Sequence, residues 1–247
     1  MISTDLLQKT ILYFNKFKNL DIVINPSIPI LYFGDLRKYR ESKLQVITVG
    51  KNPSDNEFRL NKKDAYSFVR FPNWNDKNQN LIDVLNEYFI STPLNSWFSC
   101  YEPILNGMST SYYPQKNVNV ALHTDICSPL ATSPTWSKLS KENQELLFKE
   151  GILIWKELIE ELQPDVMFVS IPRNLFASVF TDKKKQLISF NEKKDGSPRK
   201  IIYKVEETEY LLKNGKKVNV IFGQAANKPF DTISEKQKIN IGKQCLK

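Results

Sequence analysis

The stretch Leu44 to Val49, LQVITV, is short, largely apolar and rich in β-branched residues, and Gly50 and Pro53 end it at once. Such a run is a buried strand: it is too brief for three helical turns, and branched side chains pack best on a pleated surface. Lys51, Asn52, Ser54 and Asp55 follow directly. They bring amine, amide, hydroxyl and carboxylate groups to the strand's carboxyl end, where open α/β sheets bind their ligands. On spacing alone, an ordinary polar turn accounts for the same residues.

The rest of the chain reads as strands alternating with helices. Ser3 is placed to cap a first helix with Leu6, Leu7, Ile11, Leu12 and Phe14 on or near its apolar face. Ile28 to Phe33 reads as an extended entry segment, and Leu81 to Phe89 and Trp97 to Met108 as helices. Asn119 to Leu122 is a second strand, running into His123-Thr124-Asp125-Ile126-Cys127-Ser128-Pro129-Leu130. Ser140 to about Leu162 is the longest helix, stopped by Pro164; Val166 to Ile171 is a third buried strand, and Pro172 opens a short helix to Phe180. Two strand pairs follow, Leu187 to Phe190 with Lys200 to Val205 and Glu209 to Leu212 with Val218 to Phe222, turned at Asp195-Gly196 and Asn214-Gly215. A last helix starts at Thr232, with Glu235 completing a capping box. The expectation is a three-layer α/β/α fold with a central, mainly parallel sheet of about four strands, and a β-hairpin inserted before the last of them. No linker, repeat or low-complexity stretch divides the chain, so residues 1–247 read as one domain.

Composition narrows the partners. With 247 residues, 41% of them apolar, the chain can bury a sizeable core. Its net charge of +8 favours polyanions, nucleic acid first. Cys100, Cys127 and Cys245 fit neither a disulfide framework nor a CxxC metal site, so a reducing cytoplasm is expected and no metal or other cofactor. The N-terminal residues lack a secretory apolar core, and no apolar run approaches the roughly 18 residues that span a bilayer, so no membrane association is expected.

Two blocks carry a resemblance. Gly50-Lys51-Asn52-Pro53-Ser54 resembles the first motif of the uracil-DNA glycosylase superfamily, Gly-x-Asn-Pro-Gly in its mismatch-specific and single-strand-selective branches. His123 to Leu130, with the loop to Leu139, resembles the strand end His-Asn-Leu-Cys-Pro-Leu of the single-strand-selective branch, with one extra residue on either side. Asp125 then falls at or near the asparagine that reads the base. The resemblance covers most of the chain and implies a glycosylase that extrudes a nucleotide from single- or double-stranded DNA and hydrolyses its N-glycosidic bond. A monomer is expected. The iron–sulfur cluster of some branches needs four cysteines, and the chain has three.

The residue roles follow from that resemblance. Asn52 matches the position that orients the attacking water, a geometric contribution because an amide is no strong base. Asp55 either supplies a carboxylate or caps the turn. Phe68, with Phe71 second, matches a phenylalanine that stacks on the extruded base; burial in the core is the alternative. His123 either contacts the base or is structural. Lys51 attacks a sugar carbon only if its amine loses its proton, so a water mechanism without strand cleavage is favoured. Gly223 to Phe230 occupies the place of the second motif, but no histidine follows His123, leaving Gln224 or Asn227 to donate to the departing base. Lys51, Asn227, Lys228 and the run Lys183, Lys184, Lys185 are candidate phosphate contacts, the run being compatible with a solvated loop as well.

Asp125 and Ser54 bear on the base. A carboxylate accepts from the cytosine N4 amine but opposes the uracil O4 acceptor, and cytosine N3 then requires a proton on either partner. An unsatisfied pair costs about 1–3 kcal/mol. Where the uracil-selective branch blocks pyrimidine C5 with a tyrosine, Ser54 leaves space. Together they point to a C5-modified cytosine, such as the glucosylated hydroxymethylcytosine of phage DNA, removed in defence. The rivals are a uracil or deaminated-base repair enzyme reading the base through Thr124 or a backbone amide, and an inactive DNA-binding module.

Overall fold

The computed structural model describes residues 2–75, 81–91, 96–113, 119–223 and 228–246. In chain order the elements are α1 (Thr4–Phe17), α2 (Leu36–Glu41), β1 (Val46–Gly50), α3 (Leu81–Asn86), α4 (Tyr88–Ser91) and α5 (Phe98–Asn106). Then come β2 (Thr110–Ser111), β3 (Asn119–Val120), β4 (Leu122–Asp125), α6 (Lys141–Leu162), β5 (Val166–Val169) and α7 (Arg173–Val179). The chain closes with β6 (Lys185–Glu192), β7 (Pro198–Leu211), β8 (Lys217–Gly223) and α8 (Glu235–Gln244). Single 3-10 turns form at Asp55–Glu57 and Trp136–Lys138.

The expected α/β class holds. One sheet has the order β4-β1-β5-β8-β7-β6, and β2 and β3 pair separately. β1, β5 and β8 run parallel, in the register Val46↔Val166↔Asn219. Every residue of β1 and β5 is buried, as expected of parallel strands covered on both faces. The β6–β7 pair, antiparallel and inserted before β8, extends the sheet beyond four strands. Contacts divide the chain into two interleaved units: Met1–Asp35, Gly50–Thr92 and His123–Leu162 in the first, Leu36–Val49, Pro93–Leu122 and Gln163–Lys247 in the second.

In the first unit α1 lies along α6. Ser3 caps α1 as expected, accepting from the Leu6 amide at 3.2 Å, but the buried face is rotated to Leu6, Thr10, Tyr13 and Phe17, and Leu12 is exposed. The reason is polar satisfaction. Tyr13 donates to the Leu147 carbonyl at 2.7 Å and lies 3.0 Å from Ser128 Oγ, while Thr10 donates to Leu6 O, so side chains with polar tips are buried at little cost. The helix expected over Leu81 to Phe89 is interrupted between Asn86 and Tyr88.

In the second unit the two expected hairpins share one long strand. β7 pairs with β6 from Pro198 to Glu207 and with β8 from Val205 to Leu211, so one 14-residue strand replaces two short ones. The helix-starting box also differs from expectation: Ser234 caps α8, with Gln237 reciprocating, two residues later than Thr232 and Glu235.

Candidate active site

The first unit assembles the motif residues around the segment His123 to Ser133. On one side this segment is bonded to the entry segment: Phe33 and His123 exchange backbone hydrogen bonds of 2.9 and 3.0 Å, Ile30 N donates to Pro129 O and Ile24 N to Ala131 O. On the other side it meets the turn after β1. Ile126 N donates to Gly50 O at 3.1 Å, Cys127 N to Lys51 O at 2.7 Å, and Ser54 bridges to Thr132. Residues 121–132 are buried throughout, and backbone hydrogen bonds tie the segment on both sides.

Asn52 is fixed at both ends of its amide nitrogen, Nδ2 donating to Leu130 O at 3.1 Å and to Thr132 Oγ1 at 3.0 Å. A backbone carbonyl only accepts, so the nitrogen must face it and Oδ1 points the other way, set to accept from a water or a ligand. Gly50 is required by a close approach. A β-carbon there would lie 2.5 Å from Asp125 Oδ1 and 3.1 Å from His123 Nε2. Its absence lets the buried Asp125 carboxylate sit against the motif backbone, with His123 Nε2 3.5 Å from it. His123 itself is buried, its ring 5.6 Å from that of Phe33.

Lys51 joins this cluster. Its ammonium donates to Ser137 Oγ, and burial pushes its pKa down against the opposing pull of Cys127 and Asp125. The Cys127 thiol is pushed up, chiefly by burial and then by Asp125. At neutral pH it is therefore protonated and a poor nucleophile. Ser54 caps the 3-10 turn, its Oγ accepting from Asn56 N at 3.1 Å. Asp55 is held by Arg59, whose guanidinium also donates to Lys62 O at 2.8 Å and lies over the Tyr66 ring. Asp55 therefore organises the turn.

The aromatic segment separates its two phenylalanines. Phe71 is core, 1% exposed, packed on Phe58 and Tyr88. Phe68 is half-buried, edge-on to Phe58 at 6.3 Å and tilted against Trp74 at 6.2 Å. Of the two, Phe68 has ring surface left to offer.

Glu57 was not singled out by sequence reasoning. It ends the 3-10 turn, is 3% exposed, and accepts from the Tyr88 hydroxyl. Burial, first of all, raises its pKa to about 7; Tyr88 and Arg70 oppose the shift, and Asp125 and Asp55 add to it. In the sequence it is one more charge in a polar turn, and Tyr88 is 31 residues away. Thr124 faces elsewhere: fully buried, it accepts from Trp155 Nε1 at 3.1 Å.

The remaining candidates lie in the second unit. Lys183 and Lys185 line a groove of about 680 Å³ that they share with Asp182, Glu207, Glu209 and Lys217, a surface of mixed sign. Lys184 lies over the Phe176 ring. Lys228 contributes, after Lys194, to holding the Asp231 carboxyl below its usual range. Gln224 and Asn227 lie outside the described residues. Among the described residues no group of three or more His, Cys, Asp or Glu side chains is disposed to hold a metal ion, and no helix is long and apolar enough to cross a membrane. No protein-family model matches the chain, and no curated protein matches its sequence.

Proposed function

We propose that this protein is a monofunctional DNA glycosylase of the uracil-DNA glycosylase type, acting on a C5-modified cytosine in phage DNA as a defence. The observation that carries the reading is the meeting of Asn52 and Asp125 across one backbone junction, the first with its amide oxygen turned outward, the second packed on Gly50. Asn52 Oδ1 positions a water for attack on the anomeric carbon. Asp125 accepts from the N4 amine, and Phe68 stacks on the extruded ring. Flipping costs a few kcal/mol, offset by stacking and base-edge hydrogen bonds.

As the glycosidic bond breaks, positive charge develops on the sugar and negative charge on the base. Lys51, beside Asp125, supplies a cation at that end of the site. Glu57, fully ionised only above neutrality, is a second buried carboxyl whose charge is coupled to that of Asp125, so a neutral Glu57 lessens the negative charge around the base-reading carboxylate. The cytoplasm is the proposed compartment, consistent with free thiols at Cys100, Cys127 and Cys245.

For the uracil-repair alternative, the Thr124 reader is fully buried and accepts from Trp155 Nε1, with its own O–H still a donor. The test is incubation with duplex and single-stranded oligonucleotides carrying uracil, cytosine or glucosylated hydroxymethylcytosine, followed by alkaline cleavage of abasic sites. Cleavage at the modified cytosine is expected. Cleavage at uracil alone selects the repair reading, and binding without any abasic product selects the inactive module.

A further inference from the structure

The β6–β7 hairpin continues past the sheet. The last β7–β8 pair is Val205↔Gly223, at the carboxyl end of β8, and beyond it, among the described residues, β7 continues with β6 alone. The charge along β7 changes sign at that point. From Lys193 to Lys204 there are five cationic residues and the single carboxylate Asp195, whereas Val205 to Leu211 carries Glu206, Glu207 and Glu209 and no cation.

The projecting half is held firmly. Lys193 N donates to Ser197 O at 2.8 Å across the turn, and Arg199 Nε donates to Glu192 O at 2.9 Å. Lys194 pairs with Asp231 at 2.8 Å, Arg199 also donates to Thr232 O, and Gln237 reaches Glu192 O at 3.3 Å. Lys200 and Lys204 are exposed and have no carboxylate within ion-pair distance among the described residues. Between the pairs Phe190↔Tyr203 and Glu192↔Pro198 the register shifts: β6 contributes one residue there and β7 four. That irregularity carries Ile201 and Ile202, which are 84% and 46% exposed. Two adjacent isoleucines are thus turned to solvent on a braced ribbon, flanked by lysines that have no ion-pair partner among the described residues.

We infer that this projecting ribbon is a duplex-DNA contact in which Lys200 and Lys204 hold phosphates and the Ile201-Ile202 pair presses on a base step. Two-stranded ribbons fit DNA grooves, and apolar side chains flanked by cations unstack and kink base steps. The polyanion is favoured over an apolar protein partner by the local excess of positive charge, which stops where the ribbon leaves the sheet. The inference rests on the glycosylase reading only for its choice of DNA as the polyanion. It places the duplex contact on the part of the ribbon beyond its pairing with β8, separate from the residues of the Lys183 and Lys185 groove with its three carboxylates.

The experiment uses the full chain and a 2-aminopurine-labelled duplex, reading anisotropy over a salt series and 2-aminopurine emission on binding. Lys200→Gln with Lys204→Gln should lower the slope of log K against log salt by about 1.8, roughly 0.9 per phosphate contact. Lys183→Gln with Lys185→Gln should leave it unchanged. Ile201→Ser with Ile202→Ser should retain the slope and lose the emission rise. All these positions are exposed, so folding is not at stake. An unchanged slope in the Lys200/Lys204 variant, or an unchanged emission rise in the isoleucine variant, overturns the inference while leaving the glycosylase reading intact. If the parent binds no duplex but binds phosphatidylserine vesicles through the same residues, the ribbon is a membrane contact and the inference fails. Absence of any abasic product from the uracil, cytosine and glucosylated hydroxymethylcytosine oligonucleotides, in a parent that binds duplex through the ribbon, refutes the glycosylase reading alone.

Discussion

Replacing Glu57 by glutamine isolates the cost of a buried carboxylate. Glu57 is 3% exposed and its pKa is raised, mainly by burial, from 4.5 to about 7. A shift of that size corresponds to about 3 kcal/mol between the protonation states. Because the folded-state value is the higher one, the folded protein binds the proton more tightly than the unfolded chain. The associated stability is fully present below pH 4.5 and is lost as pH rises through about 7. Between pH 5 and pH 8 the loss is about 2–3 kcal/mol. Glutamine does not titrate, and its amide oxygen can still accept from the Tyr88 hydroxyl that Glu57 engages. Other groups titrate alike in parent and variant and cancel in the difference. Urea unfolding at pH 5, 6, 7 and 8 should therefore show Glu57→Gln gaining about 2–3 kcal/mol on the parent across the series. A difference that stays constant with pH would show that Glu57 is ionised normally, and that no neutral carboxyl is coupled to Asp125 near pH 7.

Asn52→Ala should lower the rate of base release by roughly two to three orders of magnitude with duplex affinity within a few-fold, since a positioning group acts in the transition state; single-turnover rates and anisotropy decide this, and full activity removes Asn52 from the mechanism. Asp125→Asn should weaken excision of the modified cytosine by a few kcal/mol at most and move preference towards uracil, read as the ratio of excision rates. If that ratio does not move, the carboxylate does not read the base. Gly151→Ala should destabilise the fold by about 1–3 kcal/mol, because its β-carbon would lie 2.2 Å from the Cys127 carbonyl oxygen. The methyl group forces α6 away from the segment that carries Asp125. Thermal melting measures the cost, and an unchanged midpoint would mean that the helix shifts freely.

What the sequence determined by itself is local. The branched apolar runs became β1, β5 and β8 within two residues of the expected bounds, Ser3 capped its helix, and α6 ended at Leu162 before Pro164. Each of these depends on neighbours a few positions apart, whose chemistry is written consecutively in the chain. The polar turn after β1 was legible for the same reason, as a strand end rich in functional groups.

Tertiary structure decided which groups meet and what they become there. The buried face of α1 turned on hydrogen bonds from Tyr13 to Leu147 and Ser128, more than a hundred residues away. The long β7 arose because one strand could satisfy β6 on one edge and β8 on the other, a pairing that no single hairpin signal contains. Asn52 is oriented by Leu130 and Thr132, and Asp125 is packed against Gly50, through a register set by the whole segment His123 to Ser133. Glu57 shows the difference most plainly. Its carboxyl is the same in any peptide, but folding strips away its water and leaves it a tyrosine hydroxyl and two neighbouring carboxylates, and desolvation raises its pKa. Burial is a property of the assembled fold, so the chemistry it creates cannot be read along the chain.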